Sequence, residues 1–270
     1  MTSMVDTRPG SVIFISHGGG PLPLLGDPGH AALVDNLQAI AGQVGRPSAI
    51  VVFSAHWESA KCTITGGATP SLIYDYFGFP NEAYQIQYPA PGEPALAGRI
   101  YEMLTSRGME AEVDKLRGFD HGMFVPLKIM FPKADIPCVQ ISLFDSLSPS
   151  RHIQLGRVLA GLREDNILVI GSGFSFHNLK AFFSPPSDAM AAGNTSFENW
   201  LAETCTSTAL DEVERESRLV HWQEAPAARL CHPREEHLLP LHVCYGLAQA
   251  PARKAFSFEI MGMQASAYAW

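Results

Sequence analysis

Three of the ten histidines in this chain stand where an apolar, β-branched run gives way to polar sequence. Val12–Ser16 (VIFIS) leads into His17-Gly18-Gly19-Gly20. Residues 49–55 (AIVVFSA) lead into His56-Trp57-Glu58, and residues 167–172 (ILVIGS) run on through Gly173-Phe174-Ser175-Phe176 to His177-Asn178. An imidazole is a good ligand for zinc, iron or copper, and its unperturbed pKa also suits it to moving protons near neutral pH. A single histidine at a strand end is ordinarily a hydrogen-bonded structural residue; three with the same placement point to a shared site. Two more join them as candidates. His121 lies in Gly118-Phe119-Asp120-His121-Gly122, just before an apolar stretch. His237 lies in Glu235-Glu236-His237-Leu238-Leu239-Pro240-Leu241, where polar chain turns apolar as a helix starts. The glycines after His17 would let backbone and a flat ligand come close, since glycine has no Cβ in the way. A phosphate cradle is the competing use of such glycines, but neither GxxxxGK[ST] nor GxGxxG spacing is present. His30, His152, His221, His232 and His242 lack comparable placement and read as surface or packing residues.

These side chains meet only if the elements carrying them are neighbours. Val12–Ser16, 49–55, 136–143 (IPCVQISL) and 167–172 read as buried strands. Ala31–Val44, 93–107 and 149–163 read as amphipathic helices, the last with Ser148 as N-cap and Pro149 at the first helical position. Strands alternating with helices predict an α/β fold, a central, mostly parallel or mixed sheet with helices on both faces. Ligands in such sheets bind beyond the carboxyl ends of the strands, so parallel, adjacent strands would aim the strand-end histidines into one crevice. Residues 74–92, rich in aromatics, Pro and Gly, suit an ordered loop that lines a pocket or packs on the core. Residues 183–193 (FSPPSDAMAAG) read as a mobile loop or linker, and 261–270 as a final strand or an extended tail. No internal repeat or domain boundary is visible, which predicts one catalytic domain over 1–270 with a flexible N-terminus at 1–10.

The 270 residues are 46% hydrophobic and 17% charged, the composition of a globular chain able to bury a substantial core. A formal charge of −8 and the lack of any Lys/Arg cluster argue against a nucleic-acid partner. Five scattered cysteines, Cys62, Cys138, Cys205, Cys231 and Cys244, are odd in number and form no CxxC pair. They read as idle thiols in a reducing cytoplasm rather than disulfides or a thiolate zinc site. No signal peptide and no apolar run near the roughly 20 residues of a membrane span is present, so no membrane association is expected.

Taken in order, SHGGGP (16–21), SAHWES (54–59), YDYFGFP (74–80), YPAPGEP (88–94), GFDHGMFVPL (118–127), FHNL (176–179) and PREEHLLPL (233–241) make the chain resemble the class III extradiol ring-cleavage dioxygenases. The similarity is greatest to the DOPA 4,5-dioxygenase-type branch and runs from about residue 11 to the C-terminal segment. Seven motifs in register are far more specific than any one of them. The resemblance implies that His17, His56 and His237 hold one Fe(II) or Zn(II) per chain. The third ligand is histidine in this branch and glutamate in the protocatechuate-type branch, which keeps Glu235 and Glu236 in view. It further implies that His177 is the acid–base histidine, able in zinc-loaded relatives to approach the metal, and that His121 hydrogen-bonds substrate or an oxygen-derived species. The implied partners are a small catechol-like aromatic and O2; the number of subunits, a homo-oligomer included, is left open. Two competing readings are a zinc-dependent hydrolase on the same scaffold and a Memo-type non-enzymatic binding protein, the latter disfavoured by retention of all five motif histidines.

Overall fold

The computed structural model describes residues 10–184 and 187–270. Its apolar runs form strands β1 (Val12–Ser16), β2 (Ala49–Ser59), β5 (Cys138–Phe144) and β6 (Ile167–Gly173), each buried along most or all of its length. Burial on both faces is what continuous apolar runs, rather than alternating ones, predict. Shorter strands β3 (Cys62–Thr65) and β4 (Ala111–Asp114), and the C-terminal pair β7 (Lys254–Ile260) and β8 (Met263–Ala269), complete a mixed eight-stranded sheet of order β4-β3-β5-β2-β6-β1-β8-β7. The final segment is therefore a strand, antiparallel to both β7 and β1. Its hairpin turns at Met261 and Gly262, both at positive φ, as a tight two-residue turn requires.

Alternate strand residues feed two cores. Val12, Phe14, Val51, Phe53, Val139 and Val169 pack with helices α2 (Pro94–Thr105), α4 (Pro149–Val158) and α9 (Leu239–Ala248) on one face. Ile13, Ile15, Ile50, Val52, Leu168 and Ile170 pack with α1 (Ala31–Val44) and α3 (His121–Met130) on the other. Ser148 caps α4, its hydroxyl accepting from the Arg151 N–H at 3.4 Å, with Pro149 following it. One expectation is corrected. Of residues 183–193, those from Asp188 belong to a long helix, α6 (Asp188–Thr206), whose Gly193 lies against Leu230 of the short helix α8 (Ala228–Cys231); residues 185–186 lie outside the described residues. Ser187 is thus the N-cap of this helix and Gly193 a packing contact within it. At the N-terminus, Gly10 is buried and bonded through its N–H to Arg163 O at 2.8 Å; residues 1–9 lie outside the described residues.

The four central strands β5, β2, β6 and β1 are parallel, so their carboxyl ends share one edge of the sheet. Ser16 pairs with Gly173 and Ser54 with Ser172, which sets His17 and the loop to His177 at the same level as the end of β2. The β2–β5 register breaks between Phe53 and Glu58, and His56 falls inside that irregularity, where a bulge re-aims side chains. Gly173 lets the loop before α9 close over this edge. The N–H of the next residue, Phe174, donates to His237 O at 2.9 Å, and a Cβ on Gly173 would sit 2.1 Å from that oxygen. Gly173→Ala is therefore expected to lose roughly 1–3 kcal/mol of stability as the His237 loop is pushed off β6. Urea unfolding checks this, and an unchanged midpoint would contradict the close packing.

Candidate metal centre

The structure brings all five sequence-predicted histidines to one place. His17 Nε2 and His56 Nε2 are 3.0 Å apart, and His56 Nε2 and His237 Nε2 are 3.3 Å apart. The other nitrogen of two of these imidazoles is hydrogen-bonded, and that of the third faces a carboxylate. His17 Nδ1 lies 3.0 Å from Ser172 Oγ, and that hydroxyl donates to Gly122 O, so the serine accepts the His17 Nδ1 proton. His237 Nδ1 donates to Glu236 Oε1 at 2.9 Å. His56 Nδ1 faces Asp75 Oδ2 at 3.6 Å, and the His56 N–H is held by Ser54 Oγ at 3.2 Å. With the protons on Nδ1, the three Nε2 lone pairs converge. Two nitrogens each about 2.1 Å from one cation lie roughly 3.0–3.4 Å apart, so the observed spacings fit a shared ion. A carboxylate orienting the far nitrogen of a ligand histidine is the usual outer arrangement of such sites.

His177 and His121 flank this triad. His177 lies stacked on His237, ring centroids 3.4 Å apart, with its Nδ1 3.4 Å from the same Glu236 oxygen. His121 opens α3; its ring centroid is 3.9 Å from that of His56, and its N–H donates to Asp75 Oδ1 at 2.9 Å. The His121 Nδ1 lies equally close to that oxygen but out of line for a hydrogen bond. Glu235 pairs with Arg229 at 2.5 Å, whereas Glu236 with His177 and His237, and Asp75 with His56 and His121, also bring ligand atoms within 4.8 Å of one another; His17, His56 and His237 are the all-histidine group. Below them, fully buried Asp120 accepts from Ser54 Oγ at 2.7 Å and from Gln140, pinning the start of α3 to β2.

The electrostatics favour neutral imidazoles. Burial, then repulsion from neighbouring histidines, drives His17 and His237 well below the ordinary histidine range, and burial with His121 does the same to His56. Burial alone would raise Asp75 and Glu236. Contacts with His121 outweigh it at Asp75, and His177, backbone N–H and Arg234 outweigh it at Glu236, so both stay anionic below the usual carboxylate range. Uncharged ring nitrogens backed by two carboxylates have the chemistry that a cation site needs.

Asp75, Ser172, Phe174 and Phe182 were not evident from sequence. Asp75 is a lone acid in an aromatic stretch, and Ser172 reads as the end of an apolar run. His30, assigned to packing, is buried yet borders the site: its Nε2 accepts the Gly19 N–H at 3.0 Å, and Gly18 beside it holds φ +86°. His152, His232 and His242 are buried packing residues, and His221 is at the surface. Over the triad opens a cavity of about 470 Å³, walled by Leu22, Tyr76, Phe79, Phe174 and Phe182.

Several buried histidines refuse protons that the unfolded chain accepts: His17, His56 and His237, together with His152, pushed down by burial to about 4, and His232, pushed to about 3. Their stabilisation is complete above pH 6.5 and is lost as pH falls below it, at up to about 1.4 kcal/mol per pH unit for each. Metal-free protein is expected to lose roughly 5 °C or more in Tm between pH 7 and 5.5. Scanning calorimetry across that range checks this, and a flat profile would contradict the neutral cluster.

Comparison with known proteins agrees with this geometry. The family model described as the catalytic LigB subunit of aromatic ring-opening dioxygenase matches residues 13–269. The chain is 40% identical to a "Dioxygenase tasH" of Hapsidospora irregularis over 96% of its length and 85% of that protein. It is 39% identical to a "4,5-DOPA dioxygenase extradiol" of Beta vulgaris, over 87% of this chain and 85% of the relative. A protein of that same name from Escherichia coli K12 is 36% identical, over 93% and 89%. An uncharacterized Escherichia coli K12 protein of known structure superposes with a TM-score of 0.77 at 30% identity, covering 97% of this chain and 99% of that one. With its mixed α/β sheet, its histidine cluster and a match over nearly its whole length, the chain belongs to the LigB family of aromatic ring-opening dioxygenase catalytic subunits.

Proposed function

We propose that the protein is a non-haem, metal-dependent extradiol dioxygenase that opens the ring of a catechol-type aromatic with O2. The observation that carries the reading is the convergence of the His17, His56 and His237 Nε2 atoms, 3.0 and 3.3 Å apart along the triad, at the floor of an aromatic-walled cavity. Those three residues are the proposed ligands of one Fe(II) or Zn(II). Fe(II) held on one face by three protein groups would supply open positions for two adjacent catechol oxygens and for dioxygen, and would acidify the hydroxyls.

The remaining steps fall to the chain's own side chains. His177 directs Nδ1 at Glu236, which leaves Nε2 as the nitrogen to take a hydroxyl proton and later return it during ring opening. The carboxylate behind it steadies the imidazolium that results. His121, anchored against Asp75, is placed to donate to negative charge developing on oxygen. Tyr76, Phe79 and Phe174 exclude water and hold the ring flat over the imidazoles. Five free, buried cysteines support a reducing compartment such as the cytoplasm, and no helix among the described residues is long and apolar enough to cross a membrane.

His17→Ala or His56→Ala is expected to remove most bound metal, measured by elemental analysis; full occupancy in both variants would contradict their assignment. His177→Ala is expected to keep metal and lose about 10²–10⁴-fold in kcat. An oxygen electrode reads the reaction class: catechol loss matched by O2 uptake and a yellow product supports ring cleavage, whereas turnover without O2 would indicate a hydrolase.

A further inference from the structure

The cavity above the histidines is chemically lopsided. Its polar atoms lie at the metal-centre end, where most are engaged with one another and His177 and His121 keep a nitrogen for the reacting ring. Asp75, the acidic residue of the lining, faces His56 and His121. His30 donates from Nδ1 to Asp27 at 2.6 Å and accepts the Gly19 N–H at Nε2, so its two nitrogens are committed as those of a neutral ring. The Tyr76 hydroxyl donates to Ala83 O at 2.6 Å. Among the described residues lining this cavity there is no lysine or arginine.

The guanidinium of the neighbouring recess does not help. Arg234 belongs to a separate polar recess that reaches His56 and His237 from elsewhere. There it grips Glu58 through two bonds of 2.5 and 2.6 Å and lies 3.3 Å from Glu236, so its charge is already spent on carboxylates.

The opposite end of the cavity is apolar and continues outward. Phe174 and Phe182 stack at 5.9 Å and Tyr76 meets Phe79 edge-on at 5.5 Å. Beyond them the lining ends in Phe77, Phe183 and Leu179, which are 92%, 82% and 58% exposed, with Met261 beside them. Large apolar side chains left in water around the mouth of an apolar cavity mark a ligand surface.

Resting on the ring-cleavage reading above, we propose that the substrate is a catechol whose ring substituent is uncharged and apolar, extending from the histidines past Phe79 to Phe77, Leu179 and Phe183. A carboxylate or zwitterionic amino-acid substituent, such as that of the DOPA named for several relatives, would leave water with no counter-charge waiting for it. Exposed Lys180, adjacent to Leu179 but outside the lining, is the cation whose participation would defeat this.

The test is calorimetric titration of the zinc-loaded, oxygen-free protein with matched pairs: 4-propylcatechol against 3-(3,4-dihydroxyphenyl)propanoate, with L-DOPA alongside. The neutral ligand is expected to bind at least about 100-fold more tightly than either charged one. From 4-methyl- to 4-butylcatechol, affinity is expected to rise roughly three- to fourfold per methylene. Leu179→Ser and Phe183→Ser, both at exposed positions, flatten that series, and Leu179→Arg raises affinity for the propanoate. Equal or tighter binding of the carboxylate, its loss in Lys180→Ala, or a series flat in the unaltered protein would overturn the proposal. Tight, chain-length-dependent binding to the zinc-loaded protein with no O2 uptake by the aerated Fe(II)-loaded protein would uphold it while overturning ring cleavage. Efficient O2 uptake with L-DOPA, at a kcat/KM matching that of butylcatechol, would do the reverse.

Discussion

Three imidazole lone pairs aimed at one another inside a protein form an arrangement that only a cation makes favourable. Burial keeps His17, His56 and His237 uncharged; hydrogen bonds place the protons of His17 and His237 on the outward nitrogens, and Asp75 faces that of His56 at 3.6 Å. What remains is three electron pairs separated by little more than a van der Waals contact. Protonation would relieve the conflict at one ring, but burial and the neighbouring rings oppose it. The rest of the site reads as the means of sustaining this tension until a metal resolves it. Ser172 fixes one ring, Glu236 a second and Asp75 a third.

That convergence depends on sheet topology more than on any local motif. Parallel pairing of β1, β6 and β2 puts three chain reversals at one edge, and the irregular register around His56 turns a side chain that a regular strand would aim elsewhere. The fourth contribution comes from some sixty residues further along the chain than His177. His237 reaches the edge because Gly173 offers no side chain where its carbonyl docks. Glu236 then serves two rings at once, coupling the orientation of a proposed ligand, His237, to that of the proposed base, His177.

Much of this was legible in the sequence. β1 and α1 fall at the bounds their apolar patterns predict, and His17 and His177 follow β1 and β6 as expected, whereas β2 runs on to Ser59 so that His56 lies inside it, at its irregular register. His121 and His237 were harder, because their significance lies in elements that approach from other parts of the chain; the family motifs, not periodicity, singled them out. Asp75 and Ser172 carried no local signal, since orienting a ring is a property of three-dimensional neighbours. Helix α6 was misread for a related reason. Its first turns contain small residues that look like a linker until Leu230 is seen packing against Gly193. β3, β4 and β7 are short or half-exposed strands whose identity comes from their partners.

The same fold separates the reaction from its specificity: hydrogen-bonded imidazoles and carboxylates on the floor, apolar rings on the walls. The floor is the more demanding claim, and an anomalous-difference map from crystals of the iron- or zinc-loaded protein tests it most directly. A single peak bonded to the Nε2 atoms of His17, His56 and His237 is the predicted result. A peak centred on Glu236 and His177, or no ordered metal among the three imidazoles, would contradict the account.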